Sequence, residues 1–212
     1  SQSLQAMFAQ VPGLTVVMPS NAYDAKGLLI AAIESESPVI FLEHRMLHET
    51  KAMVPEDYYT LPLGRLHLAR DGRDVTVVAL SAMVPEALHA ADTLEKSGIS
   101  LEVIDLRTVR PYDEEAIFRS VQKTGRLIAA DTGSRTCGFA SELVANVAEN
   151  QFHALKAPPV RIANPDTPTP VSVALESHYY PGAQQIIAAA QTLMGVRDAT
   201  ESVAQSALAE NF

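Results

Sequence analysis

Four short apolar runs, separated by amphipathic segments, restrict the fold of this chain more than any other feature. They cover residues 75–80, 101–105, 127–131 and 160–163; the first is almost continuously apolar, and the others are mostly apolar, with Glu102 and Arg161 as interruptions. Short apolar runs of this kind are typical of parallel strands that are buried on both faces of a sheet. Because parallel strands need helical crossovers, the pattern predicts a doubly wound, three-layer α/β domain with a mostly parallel sheet.

Helices are predicted between these strands from a 3.6-residue periodicity and from end signals. The clearest helix follows the run 101–105, with Asp113 at its start and Glu114 and Glu115 complementing the dipole of the first turn. Lys123 and Gly125 are typical of its carboxyl end. Further helices are predicted through Leu88, Ala91 and Leu94, through Phe139, Leu143 and Val147, and through Ile186, Ala190 and Leu193.

The first 43 residues form a separate alternation of helix, strand, helix and strand. The first helix carries an apolar face through Leu4, Met7, Phe8 and Val11, and strands are predicted at 14–18 and 38–43. A second helix lies between these strands, capped by Ser20 or Asn21, with an apolar face of Leu28, Leu29, Ala32 and Ile33.

Residues 44–62 show no periodicity, and a segment of that length in a compact protein is typical of a linker or a functional segment. We therefore divide the chain into a first unit (1–43), a linker (44–62), a second domain (63–195) and a polar tail (196–212). The second domain is expected to open with an antiparallel hairpin, in which Asp71 and Gly72 form the turn between 65–69 and 75–80.

Composition excludes several classes of partner. The chain has 16 Lys and Arg against 25 Asp and Glu, a net charge of −9, and no basic cluster that could follow a phosphate backbone, so nucleic acid is not expected as a partner. No apolar stretch reaches the roughly 18 residues of a membrane span. The single cysteine, Cys137, cannot form an intramolecular disulfide, so a reducing compartment and a cytoplasmic location are expected.

Polar residues follow the predicted strands, where open parallel sheets bind ligands. They are Ser81, Asp105, Asp131, Thr132, Asn164 and Asp166. The densest cluster contains Arg107 and Arg110, which could bind a carboxylate or bridge to another subunit, or could be solvated arginines of a capped turn. Gly133 and Gly138 have the spacing of a phosphate loop, but Phe139 stands where such a loop requires lysine.

Several motifs together resemble one family. They are Ser1-Gln2-Ser3, Val11-Pro12-Gly13-Leu14, Tyr23-Asp24-Ala25-Lys26-Gly27-Leu28, Phe41-Leu42-Glu43-His44, Asp105-Leu106-Arg107-Thr108 and Lys123-Thr124-Gly125-Arg126. In this order, over residues 1–194, they resemble the β subunit of the thiamine-diphosphate-dependent 2-oxo acid dehydrogenases of the pyruvate, branched-chain and acetoin type. The resemblance implies a complete transketolase carboxy-terminal-type α/β domain, preceded by the last part of a pyrimidine-binding α/β domain.

The resemblance also implies where a cofactor would lie. In this family a histidine precedes the Ser-Gln-Ser motif and the cofactor-activating glutamate lies further upstream, so we expect an amino-terminally truncated β subunit with no catalytic residue of its own. Ser1, Gln2 and Ser3 would approach the edge of the thiamine diphosphate, although Ser1 or Ser3 could equally serve as a helix cap. Thiamine diphosphate and magnesium are expected in the full complex and neither is expected on this fragment.

Two further sets of residues follow from the resemblance. Several relatives bind a monovalent cation at the end of the second helix, where the matching ligands are the backbone carbonyls of Ala32 and Ser35. Because Ser35 replaces an acidic residue, we expect this site to be empty. Arg107, Arg110 and Asp113 are expected at a subunit interface. The implied partners are an α subunit, a second β subunit in a heterotetramer, and the lipoyl acyltransferase core.

The function implied by the resemblance is oxidative decarboxylation of a 2-oxo acid with acyl transfer to lipoyl groups. The fragment alone is expected to be a folded, inactive scaffold. Two alternatives remain open at this stage: a non-catalytic α/β interaction or nucleotide-sensing module, and another transketolase-like enzyme such as a sugar transferase or an oxidoreductase.

Overall fold

The computed structural model describes residues 2–196, so Ser1 and nearly all of the predicted polar tail lie outside the described residues. The helices are α1 (Gln5–Ala9), α2 (Ala22–Glu34), α3 (Met83–Glu95), α4 (Glu114–Thr124), α5 (Phe139–Gln151), α6 (Val173–Tyr179) and α7 (Ala183–Leu193). The strands are β1 (Thr15–Val17), β2 (Val39–Phe41), β3 (His67–Arg70), β4 (Val75–Ala79), β5 (Leu101–Asp105), β6 (Thr108–Arg110), β7 (Leu127–Ser134) and β8 (Val160–Asn164). Single turns of 3₁₀ helix cover Arg45–Leu47 and Phe152–Ala154.

The larger sheet has five strands in the order β3-β5-β4-β7-β8, and only the edge strand β3 is antiparallel to its neighbour. Alternate residues of the central strands point to opposite faces, as the pleat requires. Val77 and Ala79 of β4 pack with α3 and α7 on one face, whereas Val78 packs with α4 and α5 on the other. The predicted three-layer α/β domain with a mostly parallel sheet is therefore confirmed.

The predicted hairpin is wrong, because β3 pairs with β5 and not with β4. Asp71 and Gly72 carry the chain across the start of β5 instead of reversing it beside β4. Gly72 packs so closely on the backbone there that an added Cβ atom would lie 2.2 Å from the carbonyl carbon of Leu101. The Asp74 N–H then donates to the Ser100 carbonyl at 3.0 Å, and β4 enters the sheet on the far side of β5.

A second, three-stranded sheet has the order β2-β1-β6. β1 and β2 are parallel, as the sequence predicts, and β6 adds to the other edge of β1 in antiparallel orientation. β6 has only three residues, and no pattern in the sequence predicts it. It lies far along the chain, so this small sheet joins residues on both sides of the predicted linker.

The first helix buries a different face from the predicted one. Leu4, Met7 and Val11 are about half exposed, whereas Gln5 is only 1% exposed. α1 has five residues, which is too short for an apolar stripe of two turns, and the Gln5 side chain on its buried side donates to Asp131 of β7. The predicted apolar face of this helix is therefore wrong for these three residues, whereas Phe8, its fourth member, is partly buried against the core.

The second helix begins where the sequence predicts. The Asn21 side chain accepts a hydrogen bond from the Asp24 N–H at 2.9 Å, which is the expected cap. Of its predicted apolar face, Leu28 is fully buried, whereas Leu29 and Ile33 are exposed. Only one side of the predicted apolar face is thus covered by the described part of the chain.

The segment 44–62 packs along α2. Lys26 Nζ donates to the carbonyls of Glu56 and Asp57 at 3.1 and 2.9 Å. The ring of Tyr59 stacks on Tyr23 with centroids 4.7 Å apart. An added Cβ atom at Gly27 would come within 2.7 Å of this ring, so a glycine is needed where the segment crosses the helix. The motif 23–27 therefore supplies the surface on which this segment packs.

Candidate functional site

The candidate site lies at the carboxyl ends of β4, β5, β7 and β8, where an open parallel sheet binds its ligands. The polar residues that the sequence places after these strands do lie at this edge. Residues 2–24, which we term the covering segment, lie across it. The contacts across the edge pair Ser3 with Thr132, Gln5 with Asp131, the Pro19 carbonyl with Ser81, Ser20 with Asp105 and Asp24 with Arg107. Part of the edge is therefore filled by the chain itself.

The strongest of these contacts is the ion pair between Asp24 and Arg107. Arg107 Nε donates to Asp24 Oδ2 at 2.8 Å and its terminal nitrogen donates to Oδ1 at 2.6 Å, which is the bidentate geometry of a strong pair. The side chains are 1% and 11% exposed. Arg107 also has a left-handed backbone conformation with φ of 59°, two residues after the end of β5, and its side chain extends to α2. The pair thus joins α2 to the end of β5.

Asp105 lies beside this pair and is almost fully buried. Burial raises the pKa of its carboxyl to about 6, against opposing hydrogen bonds from the Ser20 hydroxyl and the Arg107 backbone N–H. The negative charge of Asp24 acts in the same direction as burial. Asp105 therefore binds a proton more tightly in the folded chain than an exposed aspartate does.

The ends of the two central strands hold the rest of the covering segment. Ser81, with φ of 47°, follows β4 and donates its hydroxyl to the Pro19 carbonyl at 2.9 Å. Asp131 in β7 accepts a hydrogen bond from Gln5 Nε2 at 2.6 Å, and burial raises the pKa of its carboxyl. Both contacts are made by buried side chains, so they position the covering segment without help from solvent.

Two of the three residues predicted at a cofactor edge are described by the structure. The Thr169 hydroxyl donates to Gln2 Oε1 at 3.3 Å, and Ser3 Oγ lies 3.2 Å from Thr132 Oγ1. Gln2 borders an open cleft of about 420 Å³, whose other walls are Ser134, Thr136, Asp166, Thr167 and Pro168. Ser1 lies outside the described residues, and the cofactor role of all three stays a prediction.

The predicted cation ligands Ala32 and Ser35 lie at the carboxyl end of α2. The Ser35 N–H donates to the Ala32 carbonyl at 3.4 Å, and the Ser35 hydroxyl accepts a hydrogen bond from Ser37. Among residues 2–196 no group of three His, Cys, Asp or Glu side chains is arranged to hold a metal ion. The proposed carbonyl ligands belong to a different donor class and remain untested.

The three predicted interface residues have different surroundings. Arg107 is buried in the ion pair with Asp24, while Arg110 is exposed at the end of β6 and borders a cleft of about 390 Å³ beside α1 and α5. Asp113 caps α4 by accepting from the Ala116 N–H at 3.3 Å and binds Arg65 at 3.0 Å. Contact of these residues with another subunit stays a prediction.

Sequence reasoning missed the partners that the covering segment contributes. Gln5, Ser20 and Asp24 were not recognised as site residues, although each is buried against the sheet edge. A hint was available for Asp24, because a carboxylate in the first turn of a helix beside an apolar strand needs a partner if it is buried. Its partner is 83 residues away, and local periodicity carries no information about that distance.

Comparison with known proteins agrees with this architecture. Residues 64–186 match the model of the transketolase C-terminal domain, and residues 1–51 match that of the transketolase pyrimidine binding domain. The chain belongs to the transketolase C-terminal domain family. The first match covers the five-stranded sheet and most of its helices, and the second covers the covering segment and α2.

Curated relatives narrow the family further. The chain is 47% identical over 195 residues to the acetoin:2,6-dichlorophenolindophenol oxidoreductase subunit beta of Bacillus subtilis (strain 168), covering 92% of this chain and 57% of that protein. It is 45% identical over 195 residues to the pyruvate dehydrogenase E1 component subunit beta of the same organism, covering 92% and 60%. The chain therefore spans somewhat more than half the length of these relatives.

A solved structure supports the fold. The chain superposes on a split gene transketolase, described as an inactive beta4 tetramer, with a TM-score of 0.77 and 27% identity, covering 90% of this chain and 61% of that one. Within residues 2–196, no helix has the length and apolar character needed to cross a membrane.

The first prediction concerns the buried ion pair. We expect Asp24→Asn or Arg107→Gln alone to lower the free energy of unfolding by about 3–5 kcal/mol, because each leaves one buried charge without its partner. The double variant should lose less than the sum of the two single variants. Chemical denaturation measures all three. Arg65→Gln is the matched control, because it breaks an exposed pair worth about 0–1 kcal/mol. If the two single variants lowered the free energy of unfolding additively, Asp24 and Arg107 would not be coupled as an ion pair.

The second prediction concerns Asp105. Because its folded pKa is raised to about 6, its contribution to stability is present below the unfolded pKa and is lost as the pH rises through about 6. Asp105→Asn removes the ionisation; its amide oxygen can still accept from the Arg107 N–H, and its NH2 group can donate to the Ser20 hydroxyl, which then acts as acceptor. The unfolding free energy of the variant relative to the parent should therefore increase by ~2–3 kcal/mol between about pH 4 and pH 7. Asp57→Asn, at an exposed position, should show no such change. If the difference in unfolding free energy between Asp105→Asn and the parent did not change with pH, the prediction would be refuted.

Proposed function

We propose that the chain acts as part of the β subunit of a thiamine-diphosphate-dependent 2-oxo acid dehydrogenase. The observation that carries this proposal is the match of two consecutive family models together with 45–47% identity to β subunits over 92% of the chain. In that role the complete enzyme decarboxylates a 2-oxo acid and transfers the acyl group to a lipoyl group. This chain supplies the sheet that supports one side of the cofactor-binding region.

The described residues do not fit thiamine diphosphate as a complete site. A diphosphate needs cations, a metal or free backbone N–H groups. The buried arginine at the sheet edge, Arg107, is already neutralised by Asp24, and no set of three metal-ligating side chains is present in residues 2–196. We therefore propose that Gln2 and Ser3 contact only the edge of the cofactor, and that magnesium and most cofactor contacts come from the rest of the heterotetramer.

The residues of this chain would act by positioning Gln2 and Ser3 at the edge of the cofactor. Ser20, Asp24 and Gln5 attach the covering segment to buried groups of the sheet, so Gln2 and Ser3 are carried on a rigid support. Their side chains are held in turn by Thr169 and Thr132. A site group held by packed neighbours loses less entropy when it binds a cofactor.

The proposed partners are an α subunit, a second β subunit and the lipoyl acyltransferase core. The beta4 assembly of the solved relative supports contact between two β chains. A net charge of −9 favours basic partner surfaces such as a subunit-binding domain would offer. Since Arg107 is engaged within the chain, Arg110 is the strongest interface candidate of the three predicted residues. The cytoplasmic location expected from the single cysteine stays a prediction.

The substrate is the open part of the proposal. Relatives named for acetoin and for pyruvate differ by only two percentage points in identity, 47% against 45%. A sugar transferase is the second candidate, because the solved relative is a transketolase, although its identity is only 27%. Both alternatives can be tested in the same assay.

The third prediction tests this function. The complete β chain, assembled with its α partner, should reduce an electron acceptor such as dichlorophenolindophenol with one member of a panel containing pyruvate, branched-chain 2-oxo acids and acetoin. It should not transfer a two-carbon unit between sugars. The 212-residue chain alone should show no turnover and no heat of thiamine diphosphate binding in calorimetry. Micromolar binding by the chain alone, or sugar transfer by the assembly, would contradict the proposal.

A further inference from the structure

Two of the buried side-chain oxygen atoms without a hydrogen-bond partner lie where α1 meets β7; a third, Oδ1 of Asn164, lies on the adjacent strand β8. The first two are Oδ2 of Asp131 and Oε1 of Gln5, and both side chains are only 1% exposed. A buried acceptor without a partner costs free energy, and such groups are rare in folded proteins. These two belong to side chains that already contact each other, because Gln5 Nε2 donates to Asp131 Oδ1 at 2.6 Å.

The two unpartnered atoms are complementary if the carboxyl carries a proton. A protonated carboxyl has one donor and one acceptor, and a carboxamide has donors and an acceptor in a matching plane. The contact through Oδ1 and Nε2 is the first half of such a pair. An Oδ2–H group directed at Gln5 Oε1 completes it and satisfies both orphaned atoms at once, whereas an ionised Asp131 has no proton to donate to Gln5 Oε1.

We propose that Asp131 is a positioning residue that works in its protonated form, paired through two hydrogen bonds with the Gln5 carboxamide so that α1 is fixed to β7. The proton remains on Asp131 Oδ2 and is shared with Gln5 Oε1. No other group is needed to neutralise the carboxyl.

The surroundings support a neutral carboxyl. α1 contains no charged residue, and Ser81 and Asn164, which follow or end the two neighbouring strands, are uncharged. The acidic side chains of α5, Glu142 and Glu149, are exposed. Burial raises the pKa of Asp131, and the groups that oppose this shift, Gln5 and the backbone N–H groups of Thr132 and Gly133, carry no charge.

The packing around Asp131 and Gln5 leaves no room for a side chain at Gly133. An added Cβ atom at Gly133 would lie 2.8 Å from Asp131 Oδ2 and 2.9 Å from Gln5 Nε2. The backbone of β7 therefore approaches the pair directly, and a glycine is required for that approach. The close fit restricts the carboxyl and the carboxamide to one mutual orientation.

The consequence for function rests on the proposed function above. Ser3 and Gln2 precede α1 directly, so fixing α1 fixes the two residues proposed at the cofactor edge. Removing the proton from Asp131 would place an unpaired charge against Gln5 Oε1 and release α1 from the sheet. Positioning of the cofactor edge should then fail at high pH, while the five-stranded sheet remains folded.

The test is a carbon-detected NMR titration of the aspartate carboxyl groups in the complete 212-residue chain. Asp131 should remain protonated at neutral pH, where the carboxyl of an aspartate in water is ionised. An Asp131 carboxyl that is ionised at neutral pH would overturn the proposal. A shift of its signal on adding sodium, potassium or calcium would also overturn it, since a cation would then neutralise the carboxylate.

Variants separate positioning from a general structural role. Asp131→Asn can form the same two hydrogen bonds without a titrating proton, so amide exchange in α1 should stay slow from about pH 6 to about pH 9. In the parent, exchange in α1 should accelerate over this range by more than the intrinsic pH effect, relative to amides in β4.

A second pair of variants tests the role of Gln5. Gln5→Glu should shift that acceleration to lower pH, and Gln122→Glu, at an exposed amide pair, should not. Identical pH profiles for the parent and Asp131→Asn would refute the proposal. None of these measurements requires cofactor binding, so their failure is distinct from failure of the proposed function.

Discussion

The buried ion pair between Asp24 and Arg107 is the interaction on which the arrangement of the two sheets depends. It fastens the first turn of α2 to Arg107, between β5 and β6, across 83 positions of sequence. Immediately after Arg107 the chain forms β6, which completes the three-stranded sheet with β1. The Met18 N–H also donates to the Arg107 carbonyl at 2.8 Å. Side chain and backbone of one residue therefore hold both parts of the chain together.

This arrangement explains why the carboxyl edge of the larger sheet is not a simple ligand site. In open α/β sheets the edge is usually free to bind a ligand. Here Ser81, Asp105 and Asp131 are engaged by the covering segment. We therefore propose that the site lies at the amino end of that segment, around Gln2 and Ser3, and that the sheet contributes support rather than contacts. The motif 23–27, which carries much of the family resemblance, has the same structural purpose.

The larger sheet could be predicted from the sequence because its signals are local. The run 101–105 coincides with β5, and Asp113 and Gly125 bound α4 through their own side-chain and backbone geometry. The order of β3 and β4 could not be predicted, because it depends on the close packing of Gly72 on β5 rather than on the turn chemistry of Asp71 and Gly72.

The candidate site was predicted only in part, for the same physical reason. Its sheet residues follow apolar runs and can be recognised by position, as with Asp105 and Asp131. Their partners Ser20, Asp24 and Gln5 are polar residues in a segment whose apolar side chains suggested a different buried face. A long-range polar contact leaves no periodicity in the sequence. The family resemblance located the segment, but the contacts came from the structure.

The central claim is that the covering segment and the five-stranded sheet form one cooperative unit. Native-state hydrogen exchange tests it most directly by comparing the Met18 amide, bonded to Arg107, with the Leu80 amide, bonded to Ala130 in the sheet core. The account predicts that both amides exchange with the same opening free energy. Exchange of Met18 at a much lower free energy than Leu80 would contradict it.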